Sequence, residues 1–265
     1  MGKIKLLIKY FVYRIRRRGT SGHGIHSPFV FELNRSVLNS RNKYREYAQI
    51  KNYRRSLSAN REIINVYDKG AGSLVFSSEK RVIGDILKYT ASSCKTGRLL
   101  FRLARYFEPR NIIELGTSLG FGTMCMASGS ARGTVYSLEA CPRQHEIAGA
   151  ELKKAEAGNV ELIKGDFREV LPDLLNRIDQ VDLVYFDGDH SKDSLIWQFR
   201  TCLEKADPSS VFVVGDIHWS DEMDRAWEIL CNDPVVTLSV DLFYCGLLFF
   251  RKGMAKQHHL LTYSD

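Results

Sequence analysis

"NIIELGTSLGFGTMCMA", Asn111 to Ala127, is the stretch on which the reading of this chain turns. A short β-branched run ends in an acid, Glu114. Glycines follow at 116, 120 and 122, and an apolar helix opens at once. Strand, glycine loop and helix in that order form a ligand-binding crossover. Glycine lets the backbone come close, and a helix N-terminus offers unpaired N–H groups. A second stretch, "INVYDKGAGS" from Ile64 to Ser73, is written in much the same way. Such a loop needs a second part, a following strand that ends in an acid about 20 residues on and takes the ribose hydroxyls. After Gly116 the strand "TVYSLE" ends in Glu139. After Gly70 comes "SSEKRVIGDILKYTASSCKTG", which reads as helix and offers no such strand. The Asn111 loop is therefore the expected site, with Gly116, Thr117, Ser118 and Gly120 along it. Asp68–Ser73 is expected to be a turn between helices.

Outward from this loop the chain alternates. "NIIEL", "TVYSLE", "NVELIKG", "VDLVYFD" and "SVFVVGDI" read as strands, each followed by a helical run. Five β–α units with apolar strands predict a parallel sheet covered by helices on both faces. Two last strand-like runs, "VVTLSVDL" and "GLLFFRK", are too close for a helical crossover and predict an antiparallel hairpin at one edge. Ser27-Pro28 reads as an N-cap followed by proline at the first helical position, opening a helix to about Leu38. Residues 41–60, rich in Arg, Lys, Asn and Tyr, read as a solvated helix or connector.

The glycine spacing also bears on the ligand. Gly116, Gly120 and Gly122 run G-x-x-x-G-x-G, whereas a dinucleotide loop wants G-x-G-x-x-G where the pyrophosphate meets the helix. A loop of this register suits a ligand without phosphate that presents an amino acid, such as S-adenosylmethionine (SAM). "IIELGTSLGFGT", "VYSLEA", "IKGDF", "VDLVYFDGDHSKD", "VFVVGDIHWS" and the closing hairpin follow one another in the order found in a known family. Over roughly residues 90–252 the chain resembles the class I SAM-dependent methyltransferases, in particular the small-molecule O-methyltransferase-like group. The resemblance implies an α/β, Rossmann-like, doubly wound seven-stranded sheet with a reversed last strand. An N-terminal helical extension, residues 1–60, would precede a SAM-binding domain at 61–265. Relatives often carry N-terminal helices over the active site, so "HGIHSPFVF" is read as part of a lid.

The resemblance also implies roles for single residues. Glu114 would hold the methionine amine side, and Gly116 and Gly120 would let the backbone approach the cofactor. Glu139 would grip the ribose hydroxyls, Asp166 would accept the adenine amino group, and Phe167 would lie beside the ring. Asp187 would sit near the methyl donor, and His190 stands about where relatives keep a general base. Asp216 and His218 follow the fifth strand, and His190, His218 and Asp216 are the expected catalytic residues. Each has an ordinary reading too. Asp166 is equally a helix cap, and His190 a loop histidine bonded to a neighbouring carboxylate. Metal-dependent relatives use Asp, Asp and Asn. Asp187 and Asp216 match the acids, but Ile217 occupies the position of the Asn, so no metal is expected. His23 and His26 are read as loop and cap packing, since zinc usually wants four ligands.

Composition narrows the classes. The six cysteines are scattered without C-x-x-C pairs, which points to reduced thiols and a cytoplasmic protein. The net charge of +7 resides in residues 1–18, which hold seven Lys/Arg and no acid, so the rest of the chain is balanced. That disfavours nucleic acid, which wants basic residues spread over a folded face. In "KIKLLIKYFVYRIRRR", Ile4, Leu7, Ile8, Phe11 and Ile15 share one helical face. The run is too short to span a bilayer. Residues 3–18 are thus read either as a peripheral membrane contact or as a contact with the catalytic domain or a second copy of the chain. The expected activity is transfer of the SAM methyl group to an oxygen, less readily a nitrogen, of a small-molecule acceptor. The alternatives are an NAD(P)-dependent oxidoreductase and a SAM-binding or membrane-associating protein without turnover.

Overall fold

The computed structural model describes residues 3–16, 27–66, 79–89 and 92–264. The chain opens with helices α1 (Lys3–Arg16), α2 (Pro28–Leu33) and α3 (Glu46–Ala59). Ser27 caps α2 as its sequence predicts, its side chain accepting from the Val30 N–H, and a π-helical turn at Asn34–Leu38 prolongs it. Strands β1 (Ile63–Asn65) and β2 (Lys80–Val82) pair antiparallel before α4 (Ile83–Tyr89) and α5 (Cys94–Phe107). The second glycine stretch, Asp68–Ser73, lies outside the described residues. What flanks it corrects the expectation of a turn between helices, because strands stand on either side.

The main sheet then follows the alternating pattern. It comprises β3 (Asn111–Leu115), β4 (Thr134–Glu139), β5 (Val160–Lys164), β6 (Val181–Phe186) and β7 (Ala206–Gly215). Helices α6 (Phe121–Gly129), α7 (Pro142–Lys154), α8 (Phe167–Arg177) and α9 (Lys192–Leu203) connect them. After α10 (Asp221–Asn232) come β8 (Leu238–Asp241), β9 (Cys245–Phe249) and β10 (Gln257–Leu260). The spatial order is β10-β8-β9-β7-β6-β3-β4-β5. Only β9 runs against the others, antiparallel to both β7 and β8. The expected seven strands with a reversed last strand are therefore present. An eighth, β10, extends the edge in parallel with β8. Its sequence, "QHHL", has no apolar alternation, so periodicity could not announce it.

Side chains alternate across the sheet, as a period of two requires. Ile112, Leu183, Val211, Val213 and Leu247 face a core closed by α2 to α7. Ile113, Val184, Phe212, Val214 and Leu248 face a second core under α8, α9 and α10. The first core takes in the N-terminal segment. Val30, Leu33, Val37, Leu38, Ile50, Tyr53 and Leu57 are all buried in it. Residues 41–60 are thus no solvated connector, because α3 carries Ile50, Tyr53 and Leu57 at helical spacing into the core. The buried Arg102 guanidinium ties the segment down, donating to the carbonyls of Ser40 and Ser264. Phe29 of α2 meets Phe249 edge-on at 5.2 Å. Phe249 pairs with Val211, four residues back from the end of β7. This part of "HGIHSPFVF" therefore packs away from the carboxyl rim and is not the lid, while His23 and His26 lie outside the described residues.

What reaches the rim from the extension is α3. The Tyr53 hydroxyl donates to the Leu119 carbonyl at 2.8 Å, on the glycine loop itself. Arg54 lies over the Phe121 ring and donates to the carbonyls of Leu87 and Ser92. Tyr53→Phe is expected to lower unfolding stability by about 1 kcal/mol, the usual net worth of one buried hydrogen bond. Tyr53→Ala should cost about 3 kcal/mol or more through the cavity left in the core. Urea unfolding checks both, and two unchanged midpoints would show that α3 is not part of the cooperative fold.

Candidate active site

The glycine loop is built by close approach. Gly116 has φ +105°, and a Cβ there would fall 2.5 Å from the Gly188 Cα. Gly188, in the loop after β6, has no more room, since its own Cβ would meet the Phe167 ring at 2.5 Å. Three strand-end loops thus touch at one point, and only hydrogen fits where side chains would stand. Gly120 caps α6 in the left-handed region, and a Cβ on it would meet the Tyr53 hydroxyl at 2.6 Å. Ser118 also adopts a positive φ, 49°. That strained turn is held because its N–H donates to Glu139 Oε2 at 2.8 Å. Glu139 Oε1 accepts from the Cys141 N–H at 2.8 Å, so the carboxylate is fixed at both oxygens at the end of β4. Gln144 reaches back to the Ser118 hydroxyl at 3.1 Å.

Two residues expected along the cofactor face the other way. Glu114 is 1 % exposed, and its carboxylate accepts from the hydroxyls of Thr123 and Ser137. Thr117, also buried, places its hydroxyl 2.5 Å from that of Ser137. Their side chains build the underside of the loop and do not face the crevice. The pattern of β3 anticipates this, since Glu114 lies on the same face as Ile112 two residues earlier. Burial raises the Glu114 carboxyl to about 8. Nearby Asp187 and Glu139 push it the same way, while the two hydroxyls pull it down. Asp166 caps α8 by accepting from the Arg168 N–H, and Phe167 stands at the first turn with its ring against Gly188.

The carboxyl ends of β6 and β7 bring further acids to the crevice, as such sheets do. One potential ligand atom from each of Asp187, His190 and Asp216 lies within 4.8 Å of the others. The His190 Nε2 is 3.7 Å from Asp216 Oδ2. Asp187 accepts from the Ser92 hydroxyl at 3.2 Å, and Ser92 lies 2.8 Å from the Tyr185 hydroxyl. Burial, with the negative charge of Asp216, raises the Asp187 carboxyl to about 7. Asp216 is raised as well by desolvation, moderated by His190 and by water, since its side chain is 41 % exposed. It takes a left-handed backbone, φ 51°, and its N–H donates to the Tyr244 carbonyl at 2.8 Å. Ile217 is fully buried in the second core, so no side-chain oxygen stands at that position.

His218 does not join this group. Its Nδ1 is 2.7 Å from Asp224 and its Nε2 2.8 Å from Asp241, and together these carboxylates raise its pKa against the effect of burial. With both nitrogens taken it has no free lone pair for a substrate proton, which corrects its expected catalytic role. It pins the loop after β7 to α10 and to the β8–β9 turn. Ser92, Tyr185, Ser137 and Tyr53 were missed by sequence reasoning. Each is an ordinary residue in an ordinary run, and only the fold brings it to the site.

Residues 113–217 match the family model described as a methyltransferase domain. A catechol O-methyltransferase of Mycobacterium tuberculosis is 32 % identical over 129 residues, covering 48 % of this chain and 57 % of the relative. One from Niastella koreensis is 27 % identical over 124 residues, covering 46 % and 55 %. The chain thus spans a little over half the length of these curated relatives. An O-methyltransferase from Bacillus cereus, solved in complex with SAH, superposes with a TM-score of 0.53 at 22 % identity, covering 60 % of this chain and 83 % of that one. The O-methyltransferase TomG from Streptomyces achromogenes, in complex with SAM, gives a TM-score of 0.57 at 20 % identity, covering 84 % and 95 %. The fold is that of the Rossmann-like methyltransferases.

Glu114 offers a direct check on the electrostatics of the loop. An ordinary glutamate has a pKa of about 4.3. Above that value the unfolded chain releases a proton that the native state keeps up to about 8. Native protein then binds more protons than unfolded, so the contribution of this group to stability falls as pH rises across that window. Glu114→Gln has no such proton. Its stability relative to the parent should rise between about pH 5 and pH 8.5, by roughly 1.4 kcal/mol for every step of one in pH over which the native state alone holds the proton. Urea midpoints at the two pH values measure this, and a flat difference would contradict the buried, proton-retaining carboxyl.

Proposed function

We propose that this chain, whose residues 113–217 form the matched methyltransferase domain, is a SAM-dependent enzyme that methylates an oxygen of a small molecule. The observation that carries the reading is the convergence of the glycine loop, the fixed Glu139 carboxylate and the Asp187–His190–Asp216 group on one rim of the sheet. The residues fit the cofactor by their chemistry. The crevice has a backbone cradle that a single Cβ would fill, and at its rim the Asp187 and Asp216 carboxyls, both raised by burial. Bound there, SAM supplies a cationic sulfonium and an activated methyl group.

Glu139 is assigned the ribose hydroxyls. Two backbone N–H groups, those of Ser118 and Cys141, already orient its oxygens at the end of β4. Gly116, Ser118 and Gly120 provide the close backbone surface for the amino-acid end, with Glu114 and Thr117 holding that surface from below. Asp187 faces the positive charge of the donor. Asp166 and Phe167 border the adenine end. His190 takes the proton of the acceptor hydroxyl, and Asp216, 3.7 Å away, stabilises the imidazolium that forms. The contribution of these residues would be to align the acceptor oxygen with the methyl group that bound SAM would supply. The relatives' names make an aromatic hydroxyl the first acceptor class to try. The six free cysteines support a reducing, cytoplasmic setting.

Two carboxylates and an imidazole this close could also share a divalent ion. We assign a metal-free base because Ile217 leaves no oxygen where metal-dependent relatives have one. His190→Ala is expected to reduce kcat by roughly 10²–10⁴ with SAM affinity unchanged, and turnover should persist in EDTA. Loss in EDTA with recovery on adding Mg²⁺ or Mn²⁺ would make the three residues ligands instead. Glu139→Ala should weaken SAM binding by calorimetry by about one to two orders of magnitude, the worth of two charge-assisted hydrogen bonds less compensation by water. Parent-like SAM binding would place the cofactor elsewhere, and NADH binding without SAM would overturn the methyltransferase reading.

A further inference from the structure

Helix α1 is seated by its polar-aromatic face. The Tyr13 hydroxyl donates to the carbonyls of Asp241 and Leu261. The Tyr10 ring meets Phe243 edge-on at 4.8 Å. Lys9 pairs with Asp224 and lies 3.8 Å from Asp221. Asp224 in turn holds His218, so α1 is fastened to the same network that pins the loop after β7. The apolar stripe therefore points outward. Leu7, Ile8, Phe11 and Ile15 are 60–69 % exposed, and Val12 is partly so. An amphipathic helix in a globular protein normally buries this face. At about 100° per residue, Arg14 falls beside Leu7 on one edge of the stripe and Arg16 falls beside Val12 on the other. Both arginines are exposed.

We propose that α1 is an interfacial helix that docks this protein on an anionic membrane surface. Leu7, Ile8, Phe11, Val12 and Ile15 enter the acyl boundary, and the arginines on either edge meet the head groups. Charge selects this occupant over a second copy of the chain. Arg14 and Arg16 flank the stripe while Lys9 is engaged by Asp224, so two such faces would bring like charges together, whereas an anionic surface complements them. No described helix is long and apolar enough to cross a membrane, so the contact is peripheral. The seat also fixes the orientation. β8 ends at Asp241 and runs in the same direction as β7, so α1 lies on the rim that carries Asp187 and Asp216. Docking therefore brings the crevice end of the sheet to the interface. The inference stands independently of the methyl-transfer reading.

The test is co-sedimentation of the full-length protein with phosphatidylcholine vesicles and with vesicles in which about a third of the lipid is phosphatidylglycerol. The protein is expected in the pellet with the anionic vesicles at low salt and in the supernatant with the neutral ones. Binding should fall as salt approaches about 1 M. Phe11→Asp with Ile15→Asp should reduce partitioning at least about tenfold, because it puts charge into the stripe. Both side chains are exposed, so the variant should keep the parent's circular dichroism and urea midpoint. Supernatant protein with both vesicles at low salt overturns the proposal, as does equal binding to both. A dimeric mass by light scattering that the double variant converts to monomer also overturns it, by giving the stripe to a second copy.

Discussion

The contact of Gly116 with Gly188 is the constraint from which the site follows. A Cβ on Gly116 would overlap the backbone after β6, and one on Gly188 would overlap Phe167 after β5. The ends of three strands can converge only because hydrogen stands at both positions. Once they do, the β3–α6 loop needs support from elsewhere. Glu139 supplies it from β4, Tyr53 from the N-terminal segment, and Glu114 with Ser137 and Thr123 from beneath.

That support concentrates negative charge. Asp187 and Asp216 at the crevice are both raised by burial, Asp187 also by the charge of Asp216, and Glu114 is raised by burial beneath the loop. A ligand carrying a positive charge offsets the repulsion between the Asp187 and Asp216 carboxylates. The electrostatics and the glycine spacing therefore favour the same ligand on independent grounds. The histidines divide for a related reason. His190 stands beside Asp187 and Asp216 with partial exposure, while His218 is locked between Asp224 and Asp241 and serves as a structural tie.

The fold was legible where periodicity and chain order agree. Five apolar strands, each followed by a helix, and a hairpin too tight for a crossover left little choice of topology. The approach of Glu139 to the glycine loop was legible because their spacing has a mechanical reason. Sequence reading was weaker where a residue's role depends on which way it points. Glu114 at the end of β3 and Thr117 on the loop both turn under it. Nothing in "GDIHWS" tells that Asp224 and Asp241 will take both nitrogens of His218. The amphipathic pattern of α1 was visible, but not that Lys9, Tyr10 and Tyr13 would seat it and leave the stripe outside. β10 and Ser92 carry no local signal, and both owe their places to neighbouring strands.

The most direct test of the central claim is a crystal structure of the full chain with S-adenosylhomocysteine. The decisive measurement is the distance from the Glu139 carboxylate oxygens to the ribose hydroxyls. Both are expected within about 2.6–3.2 Å, with the amino-acid end lying along Gly116 to Gly120. A ribose bound away from Glu139, or a ligand seated at another loop, would contradict it.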